Sequence, residues 1–121
     1  RRRIAPRRPR DEPWRRTLGE LDRIHALGLH RMEAVEEFYA RSTDAVRRYL
    51  ETLEPGWGPH LTTTELLLRA ERRVGRERVD GLAEVMLRAE RVKFGGVDPG
   101  PDVAERDWST LRSWVARAGP S

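Results

Sequence analysis

The chain of 121 residues contains no cysteine, one lysine and three histidines, and its apolar runs stay short, Leu66-Leu67-Leu68 being typical. Without cysteine there is no disulfide framework, no thiol nucleophile and no thiolate zinc site. Without a run of roughly 20 apolar residues, nothing in this stretch is expected to cross a bilayer. With three imidazoles in all, the stock of general bases and metal ligands is small. No segment sustains a period-two alternation of β-branched residues, so no sheet is expected. No repeat of twenty or more residues is evident, which argues against a solenoid.

Arginine and charge fill the space. Hydrophobic residues make up 37% of the chain and charged residues 36%, with a formal net charge of +4 and a mean hydropathy of −0.77. This is the composition of one modest soluble domain with a thin core. The positive charge is not spread evenly. Arg1, Arg2, Arg3, Arg7, Arg8 and Arg10 fall within the first ten residues, and the remaining 18 basic residues face 20 acidic ones, so the body is mildly acidic. Pro6 and Pro9 interrupt the cluster and it has no apolar face, so residues 1–10 are expected to form an extended tail and residues 11–121 the domain.

Three readings suit such a tail. It is a solvated end without a role, a juxtamembrane flank whose arginines hold a transmembrane helix in orientation, or an arm that binds nucleic acid through counterion release. The absence of interleaved aromatics weighs against the last. The chain opens on Arg and not Met, from which we expect a piece cut from a longer polypeptide; on the juxtamembrane reading a transmembrane helix precedes Arg1.

From Asp11 onward the apolar spacing is helical. Pro13 suits a first turn, and Trp14, Leu18, Leu21, Ile24 and Leu27 follow in steps of three and four, stopping at Gly28. A second, longest helix places Met32, Val35, Phe38, Tyr39, Ser42, Val46, Tyr49, Leu50 and Leu53 on one stripe. The segment Glu54-Pro55-Gly56-Trp57-Gly58-Pro59 forces a corner. Thr62 and Glu65 have the spacing of a capping box, with Leu61 and Leu66 at the positions of a hydrophobic staple, so a third helix starts at Thr63 and stops near Gly75. A fourth runs from about Glu77 to Phe94 with Val79, Leu82, Val85, Met86 and Ala89 inward. A fifth runs from about Pro101 to Gly119 with Val103, Trp108, Leu111, Val115 and Ala118 inward. The expected fold class is all-α, a compact bundle of about five helices with short connections.

Chemistry is thin. His25 and His30 each have a carboxylate three residues away, Asp22 and Glu33, but both pairs crowd the first helix and the turn after it, and surface histidines are the simpler reading. Glu33, Glu36, Glu37 and Asp44 opposite Arg31, Arg41, Arg47 and Arg48 read as a solvated charged face with intrahelical ion pairs. Gly95-Gly96-Val97-Asp98-Pro99-Gly100 lacks the Lys-Ser/Thr of a phosphate loop, and Ser42 and the three consecutive threonines have no neighbouring His to activate them. We therefore expect no catalytic residue, no metal and no cofactor. Most aromatics fall on inner stripes; Trp57 in the corner and Trp114, off the main stripe of the last helix, are the two expected to face a partner.

Three ordered blocks carry a resemblance. Phe38-Tyr39 with Ser42 to Leu50, then Leu61-Thr62-Thr63-Thr64-Glu65-Leu66-Leu67, then Leu87-Arg88-Ala89-Glu90-Arg91-Val92-Lys93-Phe94 resemble the cytoplasmic helical region of BatD-like bacterial membrane proteins and their short relatives, over about Trp14 to Ala118. Gly56-Trp57-Gly58 departs from the family's aromatic-Gly-aliphatic turn, and Gly95-Gly96 loosens the stretch after the third block. The resemblance implies a non-enzymatic interaction domain of a single-pass protein at the cytoplasmic face of the inner membrane. It also implies operon neighbours as partners, a MoxR-type ATPase or a von Willebrand factor A-domain protein. On this reading the tail touches the anionic membrane surface. The alternative is a soluble nucleic-acid-binding domain that uses the basic arm.

Overall fold

A computed structural model describes residues 11–119, and among them there are five α-helices, one 3₁₀ turn and no strand. The arginine cluster Arg1 to Arg10, and with it the expected tail, lies outside the described residues. Helix α1 spans Asp11–Ala26, α2 Val35–Glu51, α3 Thr63–Val74, α4 Arg76–Gly95 and α5 Pro101–Ala118. The expected all-α bundle is the observed fold. No helix among the described residues is long and apolar enough to cross a membrane.

Helix α1 begins as its sequence dictates, with Pro13 in the first turn and the Thr17 hydroxyl bonded back to the Pro13 carbonyl at 2.8 Å. It stops where Gly28 takes a left-handed conformation, φ 65°, which costs glycine no Cβ clash. The junction to α2 departs from the sequence expectation. The chain makes a 3₁₀ turn at Leu29–Arg31 and a second left-handed residue, Glu33 at φ 60°, before α2 starts at Val35. The Ala34 N–H closes this turn on the Leu29 carbonyl at 2.9 Å. Leu27 and Met32, expected on inner stripes, fall in the turn and are 51% and 68% exposed.

Helix α2 is the centre of the bundle and packs on α1, α4 and α5, burying Phe38, Tyr39, Ser42, Val46, Tyr49 and Leu50. Its outer side carries the expected pairs Glu37–Arg41 and Asp44–Arg48. Arg47 departs from them. Its side chain is mostly buried, bonds Glu51 at 3.1 Å, and donates to the carbonyls of Gly58 and Leu61, so it ties the Pro-Gly corner to α2.

Beyond the corner the capping box is complete. The Glu65 N–H donates to the Thr62 hydroxyl at 3.1 Å and the Thr62 N–H to the Glu65 carboxylate at 2.8 Å, while Leu61 and Leu66 are both buried. Helix α3 packs against α4, which follows after Gly75 alone.

Helix α5 returns antiparallel along α1, and tryptophans fasten the two. The Trp14 indole N–H donates to the Val115 carbonyl at 2.8 Å and the Trp108 N–H to the Leu21 carbonyl at 2.9 Å. Each packs a partly buried ring against the core while its one polar atom finds an acceptor. Leu21, Phe38, Val46, Leu50, Leu66, Leu82, Leu111 and Val115 form the fully buried centre, contributed by all five helices.

Candidate functional site

Two residues of α5 half a turn apart, Asp107 and Glu105, each anchor a cluster of polar side chains. Asp107 is 2% exposed, and a lone buried carboxylate would be costly. It is instead fully engaged. The Tyr39 hydroxyl from α2 donates to Oδ2 at 2.5 Å, and Arg88 from α4 donates to both oxygens, through Nε at 2.7 Å and Nη2 at 2.9 Å. Burial first, and then the bond to Asp107, pushes the Tyr39 phenol well above its ordinary range. The same carboxylate raises the Arg88 guanidinium. Tyrosine therefore stays protonated and arginine charged at any working pH. The group holds α2, α4 and α5 in register.

Two residues earlier, and so on another side of α5, Glu105 lies between two imidazoles. His25, near the end of α1, places Nε2 at 2.9 and 2.8 Å from the two carboxylate oxygens, and His30, in the 3₁₀ turn, places Nε2 at 2.9 Å from Oε1. His30 is 5% exposed and its ring stacks on Phe38, centroids 4.0 Å apart; the His25 ring lies against Trp108 at 4.2 Å. Arg31 adds a looser charge contact to Oε1 at 3.6 Å. The hydrogen bond from His30 holds the Glu105 carboxyl below the usual carboxylate range, with His25 reinforcing it against the opposing effect of desolvation. Donor atoms of His25, His30 and Glu105 all lie within 4.8 Å of one another.

This arrangement corrects the sequence expectation about the histidines. Neither is paired with the carboxylate three residues away. Asp22 is held by Arg112 at 2.6 and 3.0 Å, and that bond lowers its carboxyl, while Glu33 is exposed in its left-handed turn. The acid that meets both rings comes from a helix some eighty positions away. His30 is buried and His25 half-buried, so neither is the surface histidine expected; His60 is one, exposed in the corner.

The two tryptophans expected to face a partner are core side chains. Trp57 is 9% exposed and Trp114 is 7% exposed, because the corner folds back on the bundle and because the Trp114 N–H reaches the Arg78 carbonyl at 2.6 Å. An interaction surface built on their open rings is not what the structure has. Trp114 does line the wall of a cavity of about 540 Å³ with Tyr49, Leu53, Arg78 and Arg117.

Two of the central residues, Asp107 and Glu105, escaped sequence reasoning. Asp107 carried a signal: it falls on the buried stripe of α5, between Ala104 and Leu111, where an acid has to have a partner. Glu105 had none. Compared with known protein families, curated proteins and solved structures, the chain matches none of them.

Proposed function

We propose that the chain is a non-enzymatic interaction domain on the cytoplasmic face of a bacterial inner membrane. In this reading it is part of a single-pass membrane protein and docks a MoxR-type ATPase or a von Willebrand factor A-domain protein. The observation that supports it best is the use made of the three sequence blocks. Tyr39 from the first block and Arg88 from the third meet on Asp107, and Arg47 from the first bonds the Leu61 carbonyl that opens the second. The residues that carry the resemblance are thus spent on fastening helices to one another. That is the economy of a rigid scaffold, whose work is done by its outer faces. The six arginines before residue 11 suit a flank on an anionic leaflet.

The test uses the complete gene product in its own cell. Fractionation places it in the membrane, with this domain cut by protease from the cytoplasmic side only, and the purified domain binds the purified MoxR-type ATPase or A-domain protein encoded beside it with a saturable isotherm. Recovery in the soluble fraction with nucleic acid, lost steeply as salt rises, overturns this reading in favour of a nucleic-acid-binding domain.

A further inference from the structure

We propose that His25, His30 and Glu105 bind a divalent first-row transition ion, of which zinc is the type. The site is independent of any docking function. Its donors come from three separate elements, the end of α1, the 3₁₀ turn and the first turns of α5, and the fold brings them within 4.8 Å of one another. Two donors on a tetrahedral zinc ion, each about 2.0–2.1 Å from the metal, stand about 3.3 Å apart. The observed Nε2-to-oxygen distances are 2.8–2.9 Å. Opening the Nε2-to-oxygen edges by roughly 0.4 Å, and drawing together donors that now lie up to 4.8 Å apart, admits the ion, which then replaces the hydrogen bonds from both rings to the carboxylate.

The rings are already held in place. Stacking on Phe38 fixes His30, and His25 leans on Trp108, whose own N–H is anchored on the Leu21 carbonyl. Ligands whose rotamers are fixed by packing lose little freedom when the ion arrives. The chemistry of the set selects the ion. Two imidazoles and one carboxylate suit zinc, cobalt, nickel or copper, whereas calcium and magnesium require more oxygen than the site offers. Three protein donors leave a coordination position open. Entry is from the side of His25 and Glu105, whose side chains are 38% and 35% exposed, while that of His30 is 2% exposed.

Two features make the ion exchangeable. Arg31 lies 3.6 Å from Glu105 and competes for the carboxylate. Coordination through Nε2 also puts the His30 ring proton on Nδ1, which is buried and has no hydrogen-bond partner among the described residues. A missing outer partner of this kind typically lowers metal affinity by about 10–100-fold.

The experiment uses the full 121-residue chain stripped with a chelator, titrated with Zn²⁺ by calorimetry and with Co²⁺ by visible absorption. The expected result is saturation near one ion per chain, with cobalt bands that zinc displaces. Glu105→Gln and His25→Gln each weaken binding by about ten-fold or more, with the far-ultraviolet circular dichroism unchanged. His60→Gln leaves binding as it was and Arg31→Gln tightens it. Should Glu105→Gln fail to fold, His25→Gln decides alone, since that ring is partly open to solvent. Absence of saturable zinc or cobalt binding by the folded wild-type chain overturns the proposal. So does binding that Glu105→Gln and His25→Gln leave undiminished.

Discussion

Arg88, itself partly open to solvent, grips both oxygens of the buried Asp107 carboxylate from the neighbouring helix, at 2.7 and 2.9 Å. A paired buried charge of this kind is weak evidence of net stability, because desolvating both ions offsets much of their attraction. Its removal from one side only is another matter.

Arg88→Met leaves the buried Asp107 carboxylate without its cation and is expected to destabilise by about 3–5 kcal/mol; Asp107→Ala is expected to cost less, because Arg88 is partly open to solvent and keeps Glu84 at 3.6 Å. Replacing all three partners with apolar groups, as Tyr39→Phe, Arg88→Met and Asp107→Leu together, is expected to recover most of that loss. Urea unfolding measures both. An Arg88→Met variant that costs less than about 1 kcal/mol is incompatible with a buried pair.

Acid acts through Glu105. Its carboxyl is held below the ordinary value, so its contribution is complete above the unfolded-state pKa of about 4.3 and disappears as pH falls through the lower folded value. The wild-type chain is therefore expected to exceed Glu105→Gln in urea midpoint at pH 7, by a margin that shrinks as pH falls below about 4.3. A gap that stays constant between those conditions shows that the carboxylate is not charged against the histidines.

Thr62→Ala removes the hydroxyl that accepts from the Glu65 N–H, and is expected to cost about 0.5–2 kcal/mol. Arg72→Ala, on an exposed position of α3, is expected to stay within about 0.5 kcal/mol. Thermal or urea melts of the two separate the capped start of α3 from one that merely begins nearby.

Deleting residues 1–10 is expected to leave the melting temperature unchanged, since that segment carries only Ile4 and Ala5 as apolar residues besides its prolines. Sedimentation with anionic vesicles reads the other half. The full chain binds, each arginine near the surface contributing about 1 kcal/mol, and the shortened chain does not. Equal binding by both chains assigns the attraction to the helical body.

The helices were legible because their interruptions are chemical. Thr62 with Glu65, Gly28, Gly75, Gly96 and Pro101 punctuate runs of three-and-four spacing, and each marks an end in the structure. Where an end lacks such a marker the reading failed. Glu33 takes a left-handed φ without being glycine, so nothing announced that α2 begins at Val35 and that Met32 lies outside it. Polar residues were harder still. Arg47 has the spacing of a surface ion pair with Glu51, yet its guanidinium also serves the carbonyls of a corner that local periodicity does not describe. His25 and Glu105 are eighty positions apart, and only the antiparallel return of α5 joins them.

That return also decides where the two ends of the described chain lie. Trp14 meets Val115 at one pole of the α1–α5 pair and His25 meets Glu105 at the other, so residues 11 and 119 leave from the same pole. Both ends of the described chain emerge at one pole, and His25 lies roughly 21 Å along α1 from residue 11, at about 1.5 Å per residue. A tether on either terminus presents the same distal pole outward. Circular permutation offers the complement: a short linker from 119 to 11, with new ends opened between Gly96 and Gly100, keeps every helix neighbour and reverses which pole is held.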